Sequence, residues 1–308
     1  MAPTSRTRQL NILITGFGPF MTIEDNPSWS AVKPLHDTLL DLSSPPSLSP
    51  SSTSSSSTLA GERGPRARIQ TLQLPVHYGS ILDIIPRIHG SSPTSSSAQF
   101  WYDSRLDPEF GGQAGKLYPE GYPKISHPQQ EEAKWDVVIH VGVGKEGSLR
   151  CEAQAHKLSY GKPDASGNFA PLLTHLTPPQ LGSIEAKYLD KDLRARGFGS
   201  NGDGYEEFAD VERTQVDVEQ LVRWLKERGM EESEVEESRD PGRYLCDFIY
   251  YCSQCEAKRS KAGQEDEPAR VIFIHVPPQG KDLSVERCTQ AIRAVAWFMA
   301  RDKAHVAL

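Results

Sequence analysis

Apolar residues recur along the chain with two different periods. Leu10–Thr15 (LNILIT), Trp135–Val143 (WDVVIHVGV) and Val271–Val276 (VIFIHV) are short and nearly continuous in apolar side chains. That is the pattern of strands buried on both faces. Arg68–Leu74 (RIQTLQL) alternates apolar and polar residues and predicts a further strand. Helical spacing appears at Tyr78, Ile81, Ile84 and Ile85, at Val218, Leu221, Val222 and Leu225, and at Cys288, Ile292, Val295 and Met299. A first helix is predicted from Asn26 as cap and Pro27 in the first turn, with Trp29, Val32, Leu35 and Leu39 as its apolar stripe and a kink at Pro34. Buried strands alternating with amphipathic helices predict an α/β fold, a three-layer α/β/α sandwich with a mostly parallel central sheet. Ligands in such folds sit at the carboxyl ends of the strands. The loops after Thr15, Val143 and Ile274 are therefore the candidate positions.

Polar stretches interrupt this pattern. The segment at about 43–64 is nearly all Ser, Pro and Thr, and the one at about 90–133 is rich in Ser, Pro, Gly and charge. Neither carries the apolar surface needed to offset ordering, so both read as loop-like inserts decorating one domain of residues 1–308. A further insert is expected at about 185–210. With 37% hydrophobic residues and a formal net charge of -7, the chain lacks the basic surface of a general nucleic-acid binder. No apolar run is long enough for a bilayer, and MAPTSRTRQL lacks an apolar signal region. The expectation is a soluble cytoplasmic protein without nucleic-acid or membrane partners.

Cysteines narrow the chemistry. There are five, Cys151, Cys246, Cys252, Cys255 and Cys288, an odd number that does not read as a disulfide framework. Asp240-Pro241-Gly242 forms a turn before Cys246, and Asp247–Tyr251 opens a helix. A thiol in the first helical turn meets unpaired N–H groups and a dipole that favour thiolate. The competing reading is a small buried apolar residue. His275, near the end of a buried strand, is placed as a general base, although His77 and His140 sit in similar runs. An orienting carboxylate is needed for such a pair, with Glu152, Glu146 and Asp164 as candidates.

Five segments, in order, resemble the pyroglutamyl-peptidase type I family. They are Thr15–Phe20 with Asn26–Trp29, Val138–Val143, Glu152/His156/Tyr160/Asp164 at four-residue spacing, Asp240–Tyr251, and Phe273–Pro278. The third and fourth resemble the family's animal members, while the inserts are of a fungal style. The resemblance implies a cysteine omega-peptidase with Cys246 as nucleophile, His275 as base and Glu152 as its partner. It implies no cofactor or metal, and peptides with N-terminal pyroglutamate as substrates. Phe17 and Phe20 match ring-contacting positions, Tyr244 and Leu245 match the pair before the nucleophile, and Val143 stands where bacterial members have glutamine. A monomer is favoured over a homo-oligomer.

There are departures from the family pattern. Met21 replaces glycine, Pro241 replaces a small residue, and the loop 142–148 is one residue shorter than in animal members. Gly112-Gln113-Ala114-Gly115 matches a bacterial stretch but lies upstream of the central strand, a coincidence of composition. Cys252-Ser253-Gln254-Cys255 has the spacing of a metal or redox pair, but lacks further ligands and sits along a helix. Gly142-Val143-Gly144 is an incomplete dinucleotide motif. Two rival readings remain: a family member without turnover that binds peptide ends or scaffolds partners, and a different small-amide hydrolase with the same residues.

Overall fold

A computed structural model describes residues 9–20, 22–49, 64–90, 135–173, 182, 187, 189, 194–199, 202–260, 267–279 and 281–304. Most of the two expected inserts, the Gly112–Gly115 stretch and Met21 lie outside the described residues. Nine strands are present among them: β1 (Leu10–Phe17), β2 (Thr38–Asp41), β3 (Arg66–Leu74), β4 (Val137–Val143), β5 (Leu149–Glu152), β6 (Gln154–His156), β7 (Val211–Arg213), β8 (Val235–Ser238) and β9 (Arg270–Val276). The helices are α1 (Pro27–Val32), α2 (Tyr78–His89), α3 (Val218–Glu227), α4 (Leu245–Arg259) and α5 (Val285–Lys303). Seven strands form one sheet in the order β2-β3-β1-β4-β9-β5-β8, and β6 pairs with β7 in a small ribbon.

β3, β1, β4 and β9 run parallel, while β2 is antiparallel to β3 and β5 is antiparallel to β9. The expected mostly parallel α/β sheet is therefore present. Alternation along each strand divides the core into two layers. Ile12, Ile14, Ile139, Val141, Ile272 and Ile274 pack with α1, α3 and α5. Leu13, Phe17, Val138, Val271 and Phe273 face α2 and α4. No helix among the described residues is long and apolar enough to cross a membrane.

The first helix departs from expectation. Asn26 caps it by accepting from Ser28 N at 3.1 Å, and Pro27 occupies the first turn. The helix nevertheless ends at Val32. Pro34 has no N–H to continue the ladder, and Lys33–Leu35 tightens into a 3-10 turn. Asp37 then takes a left-handed φ of 57° and reverses the chain into β2. Leu39 consequently leaves the stripe and lies 51% exposed on the edge strand. The alternation in β3 also misleads about burial, because Gln70, Thr71 and Gln73 are all buried. Within the stretch expected as a third insert, Phe198 is fully buried and stacks on Phe248 with ring centroids 4.2 Å apart.

Two histidines sit inside the α2/α4 layer or against it. His140 is fully buried, with Nδ1 2.8 Å from Thr15 Oγ1, and His89 Nε2 is 2.7 Å from Ser253 Oγ. Burial lowers both, to about 3, with His89 also lowering His140. Each is thus neutral when folded but binds a proton below about pH 6.5 when unfolded, so stability falls as pH drops from 6.5 toward 3. Denaturant unfolding at pH 7 and pH 5 should show lower stability at pH 5, and His140→Leu should reduce that loss.

Candidate active site

The segment leading to Cys246 is shaped by its turn. Gly242 N donates to Asp240 Oδ1 at 3.2 Å, and Gly242 and Arg243 are both left-handed, with φ of 96° and 53°. The chain then enters α4 at Leu245, which places Cys246 second in the helix. Tyr244, the residue before the helix, supplies no side-chain cap. The first amides of α4 are thus uncapped by a side chain on the side where the thiol lies.

His275 lies near the carboxyl end of β9, and its ring lies close enough to Cys246 to feel its charge. Its Nδ1 is 2.8 Å from Glu152 Oε1. A carboxylate accepts, so Nδ1 carries a proton and Nε2 is left for the thiol. The antiparallel register explains the contact: Glu152 stands opposite Phe273 and Arg150 opposite His275. Glu152 and His275 are therefore diagonal neighbours on one face of the sheet, within reach of a long side chain. Glu152 is fully buried, its Oε2 has no hydrogen-bond partner, and its backbone carbonyl accepts from Tyr250 of α4 at 2.8 Å.

The other carboxylate candidates are engaged elsewhere. Glu146 is exposed and pairs with Lys281 at 3.1 Å. Asp164 accepts from the backbone of Tyr78, Ser166 and Asn168 at 3.1, 2.9 and 2.9 Å. Glu152 thus turns toward His275, which does not favour the binding-only reading.

Electrostatics fit this arrangement. Burial pushes the His275 pKa down, but its neighbours Cys246 and Glu152 outweigh burial and raise it to about 9. The remaining thiols are all buried, and burial first, then nearby carboxylates, raises Cys151, Cys252 and Cys255, with Cys288 pushed up to about 12. Cys252 lies against the Tyr205 hydroxyl at 3.2 Å, so the CxxC pair consists of core thiols. Among the described residues no cluster of three or more His, Cys, Asp or Glu is suited to a metal.

Sequence reasoning missed the glycine cradle, although the incomplete dinucleotide motif marked the same residues. Gly142 pairs with His275 across β4 and β9. A Cβ there would lie 2.8 Å from Cys246 Sγ and 2.7 Å from Phe273 Cζ. A Cβ at Gly144 would come 2.9 Å from His275 Cβ. These two positions stay bare so that thiol and ring can meet over the sheet edge.

Aromatic side chains border the thiol. Phe17, Leu245 and Tyr78 are buried in the underlying core, while Phe20, Tyr244 and Cys246 pack on it half-buried. The Phe20 and Tyr244 rings are 5.8 Å apart, and Tyr78 meets Tyr244 edge-on at 6.2 Å. Asn26 and Ser28 brace the Phe17–Phe20 loop: Phe17 N donates to Ser28 Oγ at 3.0 Å, and Asn26 Nδ2 donates to Gly18 O at 2.9 Å. Val143 lies half-buried beside Gly142 at the end of β4.

A thiol at a helix start, a histidine on a parallel strand and a buried glutamate make up the set of groups that nucleophilic thiol chemistry uses. The particular relatives agree. Over 80 residues the chain is 34% identical to pyroglutamyl-peptidase 1 of mouse and of human, covering 26% of this chain and 33% of each relative. The match thus spans about a third of the relatives' length. The fold is that of pyroglutamyl peptidase I from Bacillus amyloliquefaciens, with a TM-score of 0.55, 18% identity and coverage of 96% and 98% of the two chains. A mutant pyrrolidone carboxyl peptidase from Pyrococcus furiosus gives a TM-score of 0.54, 16% identity and coverage of 95% and 99%. No family model matches the chain. The resemblance to pyroglutamyl-peptidase type I is borne out over the 80 residues matched to the curated relatives, and the expected fold by the solved structures.

Neutral-pH iodoacetamide should modify one thiol rapidly, and peptide mapping should place it on Cys246, because the other four are buried. Gly142→Ala should cut that rate at least tenfold with the fold retained by circular dichroism. An unchanged rate would mean that the close approach at Gly142 is unimportant.

Proposed function

We propose that the protein is a cysteine omega-peptidase that hydrolyses the bond after an N-terminal pyroglutamyl residue. The observation that carries this is the His275 ring, held by Glu152 at 2.8 Å and set beside Cys246 where Gly142 and Gly144 leave room for both. The motif resemblance and the relatives' names supply the substrate.

In this reading Cys246 Sγ attacks the pyroglutamyl carbonyl as thiolate, with His275 holding the proton. The uncapped amides of α4 receive the oxyanion. His275 then protonates the leaving amine, the carbon–nitrogen bond breaks, and a pyroglutamyl thioester remains on Cys246. Water, deprotonated by His275, adds to the thioester and releases pyroglutamate with the thiol restored. Glu152 orients the ring and stabilises the imidazolium. Phe17, Phe20, Val143, Tyr244 and Leu245 form the wall for the lactam, an apolar ring with one N–H and one C=O. A free N-terminal amine is disfavoured there, because its charge finds no partner among aromatic side chains. The free thiols suit a reducing, cytoplasmic setting.

Release of aminocoumarin from a pyroglutamyl-aminocoumarin amide should be detectable for wild type and abolished in Cys246→Ala. A glutaminyl-aminocoumarin amide should be a poor substrate, and equal rates on both would favour a different small-amide hydrolase. Glu152→Gln should lower kcat/KM by about 10²-fold or more.

The pH profile follows from His275, whose protonated form is lost as pH rises through about 9. Activity should decline on that alkaline limb. The limb should move to lower pH in Glu152→Gln, where one cause of the raised value is removed.

A further inference from the structure

Two charged side chains flank Cys246 that the chemistry above leaves unused. Asp247, in the first turn of α4, is completely buried. Its Oδ1 accepts from the backbone N–H of His156 at 2.8 Å. Its Oδ2 meets both His156 Nδ1 at 3.0 Å and Arg243 Nη1 at 3.1 Å. Gln154 Nε2 lies 3.3 Å from His156 Nε2 on the other side of the ring. Imidazole and guanidinium both meet one carboxylate oxygen, and Arg243 Nη1 also lies 2.7 Å from His156 Nδ1. Arg243 makes this contact from a left-handed backbone, φ 53°, that a side chain with a Cβ rarely adopts.

The placement poses an electrostatic problem. An acidic residue in the first turn is ordinarily favourable to a helix, because it complements the exposed amides. Here the same turn carries the thiol that must ionise. A bare Asp247 charge would oppose a second negative charge one residue away, in a region from which water is largely excluded. Arg243 supplies the compensating cation three residues before the thiol.

We propose that Arg243 is a positioning residue for the reactive thiol: its guanidinium neutralises Asp247, so that the α4 amides and dipole stay available to the Cys246 thiolate and to the oxyanion that follows it. The oxyanion half rests on the peptidase reading, while the thiolate half does not. The other groups around Cys246 are His275 of β9 with Glu152 of β5 behind it, and the phenols of Tyr78 and Tyr244. Burial, then neighbouring charge, raises both phenols, Tyr244 to about 12, so they stay neutral at pH 7. Facing the buried ion pair are Tyr160, whose phenol is likewise raised by burial, and Asp240, 3.5 Å from Arg243 Nη1. Asp164 acts on Tyr78 and Tyr244. None of these supplies a cation to Asp247 in place of Arg243.

The test is the pH dependence of Cys246 alkylation by iodoacetamide in the full chain, with Cys246→Ala as the blank. Arg243→Met should move the alkylation midpoint up by about one pH unit and slow the reaction at pH 7 roughly tenfold. Arg243→Lys should recover most of the rate. Arg243→Met combined with Asp247→Asn should return the midpoint to within a few tenths of a unit of wild type, since charge and countercharge are removed together. A merely structural role predicts the reverse, with the double variant worse than either single one. An unshifted midpoint in a folded Arg243→Met protein, or a double variant worse than Arg243→Met, would overturn the proposal. Alkylation requires no peptide substrate. Failure of pyroglutamyl release with the expected alkylation pattern therefore counts against the substrate assignment and not against Arg243.

Discussion

The Glu152–His275 contact is the interaction on which the rest of the site depends. Glu152 is completely enclosed, and one of its oxygens finds its partner in a histidine from another strand. The contact follows from β5 running antiparallel to β9, which sets Glu152 diagonally across from His275. With Nδ1 committed to the carboxylate, the ring presents its other nitrogen to Cys246 and cannot readily turn away. Phe273 supports the ring with centroids 4.8 Å apart, and Tyr250 of α4 holds the Glu152 backbone. Strand, helix and ring thus fix one another.

Around this contact the fold supplies room and field. Bare positions at Gly142 and Gly144 let thiol and imidazole approach over the end of the central strands. The start of α4 adds amides and a favourable dipole, but it also carries Asp247, whose charge needs the neutralising group that Arg243 provides. The left-handed pair at Gly242 and Arg243 serves both ends. It turns the chain sharply into the helix and directs a guanidinium back beneath it. Asn26 and Ser28 perform the equivalent task across the site, where they brace the loop that bears Phe17 and Phe20.

Much of this was legible in the residues. Three apolar runs announced the central parallel strands, because burial on both faces leaves no room for polar positions. The turn before Cys246 predicted its place at a helix start. Glu152 was chosen over Glu146 and Asp164 only through the family resemblance, since pairing across an antiparallel register is not encoded in local spacing. The same limit concealed the glycine cradle, which resembled an incomplete dinucleotide motif until β4 was set beside β9. Leu39 fitted a helical stripe, but Pro34 and the left-handed Asp37 sent it into an edge strand. Asp247 and His156 lay in quoted motifs, yet their buried contact depends on how the β6 ribbon folds against α4.

The most direct measurement of the central claim is the chemistry carried by Cys246 during turnover. A pyroglutamyl aryl ester, acid-quenched in the steady state, should leave the peptide containing Cys246 heavier by one pyroglutamyl group, because a good leaving group makes thioester hydrolysis the slow step. Release of the aryl group while that peptide stays unmodified would contradict a nucleophilic role for Cys246.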